Sequence, residues 1–262
     1  MSSDKSMANF IDFLEKVVDS KQNGNTGDEF EHFILKKLDG GSFTKVSLKK
    51  EESIDYLNNL LKIDQSVFES LINKMNNQVL DKNNIQVIRN PFGHYIGDLN
   101  WYVYEPYGKQ NFPDLLIFTS QFIFPIEIKF STKRKSATLP KGNSNIPKEN
   151  TIYLYANTEK HNPIIFLGSD YIGRGTRKFL NSYFDFFNED LAVANLNEEL
   201  KNDPSSYNPF GLYPKIRTDF ICKNEFVFGN DEKLSIFDFA EKMEWRENVF
   251  QFLRDLAMHE EE

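Results

Sequence analysis

The sequence holds a single cysteine, Cys222, among 262 residues. That count excludes an intrachain disulfide and a zinc site built on cysteines, and it fits a reducing compartment. Histidine is scarce too, at four; His94 and His161 stand without a neighbouring ligand or triad partner and read as structural. No apolar run reaches the roughly 20 residues that a membrane span needs. The first residues, MSSDKSMANFIDFLEK, carry acids early and lack the basic start and long apolar region of a secretory leader, so a cytoplasmic protein without membrane attachment is expected. An excess of positive charge is also missing. The net charge is −8, which gives no global pull toward nucleic acid, although binding depends on local patches.

What is plentiful is aromatic material, with 25 Phe and 11 Tyr, in a chain long enough to bury a sizeable core. Helical apolar spacing covers residues 7–20, with Phe10, Phe13, Leu14, Val17 and Val18 on one face. After a polar linker, a second helix starts near Gly27 or Asp28 and stops at Gly40-Gly41. A short strand at FTKVSL follows, then helices over 51–62 and 65–80, the latter capped by Asp64. From Ile85 the texture changes to strands: IQVIRN, LNWYVY, the hairpin described next, TIYLYA and PIIFLG, all rich in β-branched and aromatic residues. Helices are predicted over 175–188 and 190–201, a strand over 213–222, and one or two closing helices over 235–258. The pattern is one domain of α+β class, a central mixed sheet flanked by helices. Residues 1–84 form a mainly helical N-terminal layer, 85–170 the sheet core, and 171–262 a helical and loop-rich elaboration.

The most informative stretch is NFPDLLIFTSQFIFPIEIKFS, residues 111–131. Two strands meeting through a tight Ser120-Gln121 connection pair residues whose numbers sum to 241, which sets Asp114 opposite Glu127. Opposed side chains have Cβ atoms roughly 4.5–5.5 Å apart, close enough for two carboxylates to share a divalent cation. Alternation along the strand puts Lys129 on the face of Glu127, while Phe122, Phe124, Ile126, Ile128 and Phe130 make the opposite face an unbroken apolar row. Pro125 cannot donate to a ladder and commonly marks an edge or bulge; a bulge would shift the pairing by one residue. Metal-dependent phosphodiester hydrolysis needs hard oxygen ligands and a positive charge near the attacking water or the transition-state phosphate. Asp114, Glu127 and Lys129 meet that need, and the Ile128 carbonyl adds a further possible ligand. The plainer reading is a solvated cross-strand pair after a proline turn.

Pro113-Asp114 followed by Glu127-Ile128-Lys129 resembles the PD-(D/E)XK nuclease superfamily, and within it the type II restriction endonucleases. The resemblance covers about residues 27–156. It implies a restriction-endonuclease-like fold in which Asp114 and Glu127 bind Mg²⁺ and Lys129 orients or activates the water. A Gly-x-x-Phe-Glu pattern in that family's preceding helix is matched by Gly27 to Glu31, making Glu31 the auxiliary acid. Double-stranded DNA as substrate, a homodimer for palindromic sites and a cognate DNA methyltransferase are implied in the same way.

Beyond Lys129 the charge reverses: residues 129–148 hold Lys129, Lys133, Arg134, Lys135, Lys141 and Lys148 and no acid. Basic side chains neutralise phosphates, and interleaved Ser and Asn can reach base edges. Lys133, Arg134, Lys135, Lys141 and Lys148, with Asn143, Ser144 and Asn145, are the expected DNA contacts. Arg174, Arg177 and Lys178 form a second basic cluster at a helix start, either a phosphate site or a plain surface terminus. Two rival readings stay open: a repair or mobile-element nuclease acting on DNA structure, and a catalytically idle DNA-binding module.

Overall fold

The computed structural model describes residues 5–22, 24–48, 63–81, 85–109, 111–132, 146–159, 162–186 and 235–258, with 198 and 202 as isolated positions. The expected helix over 51–62, nearly all of that over 190–201, the strand over 213–222 and His161 lie outside them.

Apolar periodicity and capping account for the helices. Helix α1 (Lys5–Val18) buries Phe10, Phe13, Leu14 and Val17. Helix α2 (Gly27–Asp39) begins not at a glycine or aspartate cap but at Thr26, whose hydroxyl accepts from the Glu29 N–H at 3.2 Å. Threonine supplies the acceptor oxygen that a glycine lacks. After β1 (Phe43–Lys45), α3 (Gln65–Val79) starts at the expected cap, Asp64, which accepts from Val67 N. Strand β2 (Ile88–Arg89) is far shorter than IQVIRN suggests, and a one-turn helix α4 (Gly93–Ile96) follows it. The core strands are β3 (Asn100–Tyr104), β4 (Leu115–Phe118), β5 (Phe122–Ser131), β6 (Ile152–Asn157) and β7 (Ile164–Leu167). Then come α5 (Gly168–Tyr171), α6 (Arg174–Phe186), α7 (Ile236–Lys242) and α8 (Trp245–Met258).

The strands form one mixed seven-stranded sheet in the order β1-β3-β4-β5-β6-β7, with β2 beside the start of β5. β1 runs parallel to β3 and β5 parallel to β6; the other pairings are antiparallel. The class is α+β, as expected. One face carries the even-numbered residues of β5 against α1, α2 and α8. The other bears two separate clusters. Trp101, Val103, Leu116, Phe118 and Ile123 pack with α3, and Tyr153, Tyr155 and Phe166 pack with α7 and Trp245. The N-terminal helices therefore do not make one layer: α1 and α2 lie on one face and α3 on the other. Sequence periodicity identifies a helix's apolar stripe but not the face of the sheet that receives it.

The hairpin keeps the 241 register throughout, from Leu115↔Ile126 to Phe118↔Ile123, with Leu116 opposite Pro125. No bulge forms at the proline. Thr119 N donates to Phe122 O, so residues 122, 124 and 126 direct their main-chain groups at β4, and Pro125 directs its nitrogen to the opposite side. There, pairing with β2 ends at Ile123 and pairing with β6 starts at Ile126. The missing N–H falls in that gap and costs no ladder bond.

Candidate active site

Asp114 and Glu127 belong to the face that carries Leu116 and Ile123, and they sit between its two apolar clusters. Asp114 follows a cis Phe112-Pro113 peptide at the mouth of β4. Its Oδ2 accepts from Ile128 N at 2.7 Å. That bond holds the aspartate across the strand from Glu127, one step beyond the last hairpin pair. In an extended strand a residue's N–H and C=O leave on the same side, so the Ile128 carbonyl also faces Asp114. Lys129 Nζ lies 2.5 Å from Glu127 Oε1 and 4.0 Å from Asp114 Oδ2. Both carboxylates thus converge on one ammonium.

The electrostatics are those of a site short of positive charge. Burial pushes the Asp114 carboxyl up to about 6, and the Glu127 charge adds to the shift; Lys129 and the Ile128 N–H oppose it. Glu127 is almost fully buried, and its Oε2 has no hydrogen-bond partner among the described residues. A buried carboxylate oxygen without a donor is costly, and a cation would satisfy it. The described residues include no group of three or more His, Cys, Asp or Glu arranged to hold a metal ion. The donor set is two carboxylates and one carbonyl. That set suits Mg²⁺, which keeps several waters and takes one or two protein carboxylates together with substrate phosphate. Asp114, Glu127 and the Ile128 carbonyl would hold it.

Glu31 lies on α2 at the same end of the sheet, and Tyr104 Oη donates to its Oε2 at 2.8 Å. Burial raises the Glu31 carboxyl against the help of that bond, and the Asp114 charge raises it further. Glu31 is therefore an electrostatic neighbour of Asp114 without joining it in a three-carboxylate cluster. Glu105 is a residue that the sequence did not single out. It takes a left-handed backbone with φ of 47°, its N–H donates to Asp114 O at 2.8 Å, and its charge acts on both Asp114 and Glu31. An acid just after a strand reads as a solvated turn residue, so its sequence carries no signal for this role.

Lys133, Arg134, Lys135, Lys141, Asn143, Ser144 and Asn145 lie outside the described residues. Lys148 is described, and it does not project outward as a loop phosphate contact would. It is 9 % exposed, its Nζ donates to Val79 O at 3.0 Å, and it lies 4.3 Å from the Phe112 ring centroid. Burial lowers its ammonium to about 8, against the charges of Asp81 and Glu127. Its main chain is locked by Gly168, where a Cβ would stand 1.9 Å from Lys148 O. The second basic cluster divides. Arg174 pairs with Glu149 at the surface. Arg177 is 1 % exposed and donates to Pro147 O, Glu149, Gly168 O and Ile172 O. That guanidinium clamps the turn before β6 and has no donor aimed at solvent phosphate.

No protein-family model, curated protein or solved structure matches this chain. Chemistry and geometry therefore carry the functional reading. No helix among the described residues is long and apolar enough to cross a membrane.

Proposed function

We propose that the protein is a Mg²⁺-dependent DNA endonuclease of the PD-(D/E)XK type, cutting duplex DNA at specific sequences as type II restriction enzymes do. The observation that carries this reading is Glu127 Oε2, buried and unpartnered beside Asp114 on a shared lysine. An ion pair evolved for stability would leave neither the lone oxygen nor a buried Asp114 whose proton affinity the Glu127 charge raises. A divalent cation, when bound there, supplies Lewis-acid polarisation of a phosphoryl oxygen and a more acidic water. Asp114 and Glu127 fix the geometry through the Ile128 N–H and the hairpin pairing. Lys129 Nζ, released from Glu127 Oε1, donates a hydrogen bond to the attacking water or to a non-bridging phosphate oxygen and stabilises the charge that develops there. Glu31, held by Tyr104, is the auxiliary acid.

The basic run over 133–148 supports DNA as substrate. A homodimer would match the two-fold symmetry of a palindromic site. A cognate methyltransferase follows from the family resemblance alone. Incubation of mixed phage DNA with and without Mg²⁺, followed by sequencing of the ends, tests the assignment. Discrete fragments sharing one end sequence are expected. A ladder or junction-specific nicking would instead indicate a structure-directed nuclease, and no Mg²⁺-stimulated cleavage at all would leave a binding module.

A further inference from the structure

Lys148 carries a buried charge that no carboxylate contacts among the described residues, although the charges of Asp81 and Glu127 act on it. Its residue is 9 % exposed, and among the described residues no carboxylate pairs with its Nζ, whose hydrogen bond goes to the neutral Val79 carbonyl. An ammonium offers three donors, and among the described residues it has one hydrogen-bond acceptor, Val79 O, and the Phe112 ring. Buried cations are normally paired or discharged, because desolvation penalises an isolated charge heavily. Arg177, at 1 % exposed, has the Glu149 carboxylate beside it.

The position of Lys148 makes this lone charge relevant to the site. Its ammonium sits over Phe112, two residues before Asp114. Its main chain hydrogen-bonds Tyr153, the residue paired with Glu127 across β5 and β6. Gly168 packs directly against the Lys148 main chain, where a Cβ would stand 1.9 Å from the Lys148 carbonyl oxygen. Its approach differs from that of Lys129, which lies on the carboxylates themselves at 2.5 Å and 4.0 Å.

We propose that Lys148 is a second cationic group of the active site, placed to contact a non-bridging phosphate oxygen of the bound DNA. This rests on the nuclease reading above, since the scissile phosphodiester is the anion that reading brings to Glu127. Lys148 contributes after substrate arrives: it stabilises charge on the phosphate and leaves cation binding by Asp114 and Glu127 to those residues.

The test compares wild type with Lys148→Met and Lys148→Arg in single-turnover cleavage of a cognate duplex in Mg²⁺. Duplex binding in Ca²⁺, Mn²⁺ binding to the free protein, circular dichroism and Tm are read beside it. In Lys148→Met the cleavage rate should fall about 100-fold, the scale of losing one preorganised donor to a developing oxyanion. Mn²⁺ affinity should stay within about threefold, and Lys148→Arg should recover at least about a tenth of the wild-type rate. A rate within threefold of wild type in a folded Lys148→Met protein overturns the proposal, as does a parallel loss of Mn²⁺ binding. Should Lys148→Met fail to fold, Lys148→Gln is read in its place, and a cleavage rate within threefold of wild type overturns the contact. If wild type cuts no DNA, the nuclease reading itself fails, and Lys148 is judged separately by thermal shift with inorganic phosphate and Ca²⁺. A shift seen in wild type and lost in Lys148→Met would keep it as an anion contact; equal shifts would remove it.

Discussion

The Arg177 guanidinium and the Glu127 carboxylate are both almost fully buried, yet their surroundings differ in kind. Arg177 donates to three carbonyls and to Glu149. Glu127 shares one lysine with Asp114, and its Oε2 has no partner among the described residues. The first arrangement recovers its desolvation cost through hydrogen bonds and one opposite charge; the second leaves part of that cost standing. A fully satisfied buried charge holds a turn in place, whereas an incompletely satisfied one is poised for something to bind. Stability and function should accordingly separate between the two clusters.

The largest effect expected is on chemistry. Asp114→Ala and Glu127→Ala should each lower Mg²⁺-dependent cleavage by about 1000-fold or more while leaving specific binding in Ca²⁺ and the Tm nearly intact. Full cleavage by either variant would erase the contrast. On the other side, Arg177→Met removes the donor to the Pro147, Gly168 and Ile172 carbonyls and leaves Glu149 with Arg174 alone. It should cost about 3–5 kcal/mol, read by urea denaturation, and lower Tm by about 10 °C in a chain of this size. Cleavage per folded molecule should persist.

A pH series sharpens the comparison further. The Asp114 carboxyl is raised to about 6 in the folded protein, above an unfolded value of about 3.9. Between those values the folded state retains a proton that the unfolded state has released. The stability that Asp114 contributes is therefore present below about pH 4 and lost as pH rises through about 6. Asp114→Asn should raise Tm at pH 7.5, and the gain should vanish toward pH 4. Mn²⁺ affinity of wild type should fall as pH drops below about 6, because a proton then competes for the carboxylate. The smallest effect is expected at Arg174, whose guanidinium pairs with Glu149 from an exposed position. Arg174→Ala should leave Tm unmoved, as surface pairs commonly do; a clear drop would make the two arginines equal members of the clamp.

Much of the candidate site was legible because it is local. The 241 register follows from loop length and strand alternation, and every pair from Leu115↔Ile126 to Phe118↔Ile123 obeys it. The concern over Pro125 was misplaced, since its nitrogen faces a gap created by β2 and β6, strands distant in sequence. Glu31 reached the neighbourhood of Asp114 through the apolar face of α2, a helical spacing visible in the chain. The burial of Lys148 was not legible, because a lysine beside Pro147 and Asn150 reads as loop surface. Its ammonium meets Val79 and Phe112, and its main chain meets Gly168, all residues distant in sequence.

By itself the sequence determined the α+β class, the hairpin with its paired carboxylates and lysine, and the cap at Asp64. Each of these depends on a spacing of a few residues, set by backbone geometry. Only the tertiary structure decided which face of the sheet receives α3, which basic residues are buried, and which buried charges find partners. Those outcomes depend on solvent exclusion and on opposite charges brought from other elements. Arg177 and Lys148 show this: similar basic neighbourhoods in the chain end as an ion-paired clamp and as an ammonium set on a helix-end carbonyl and the Phe112 ring.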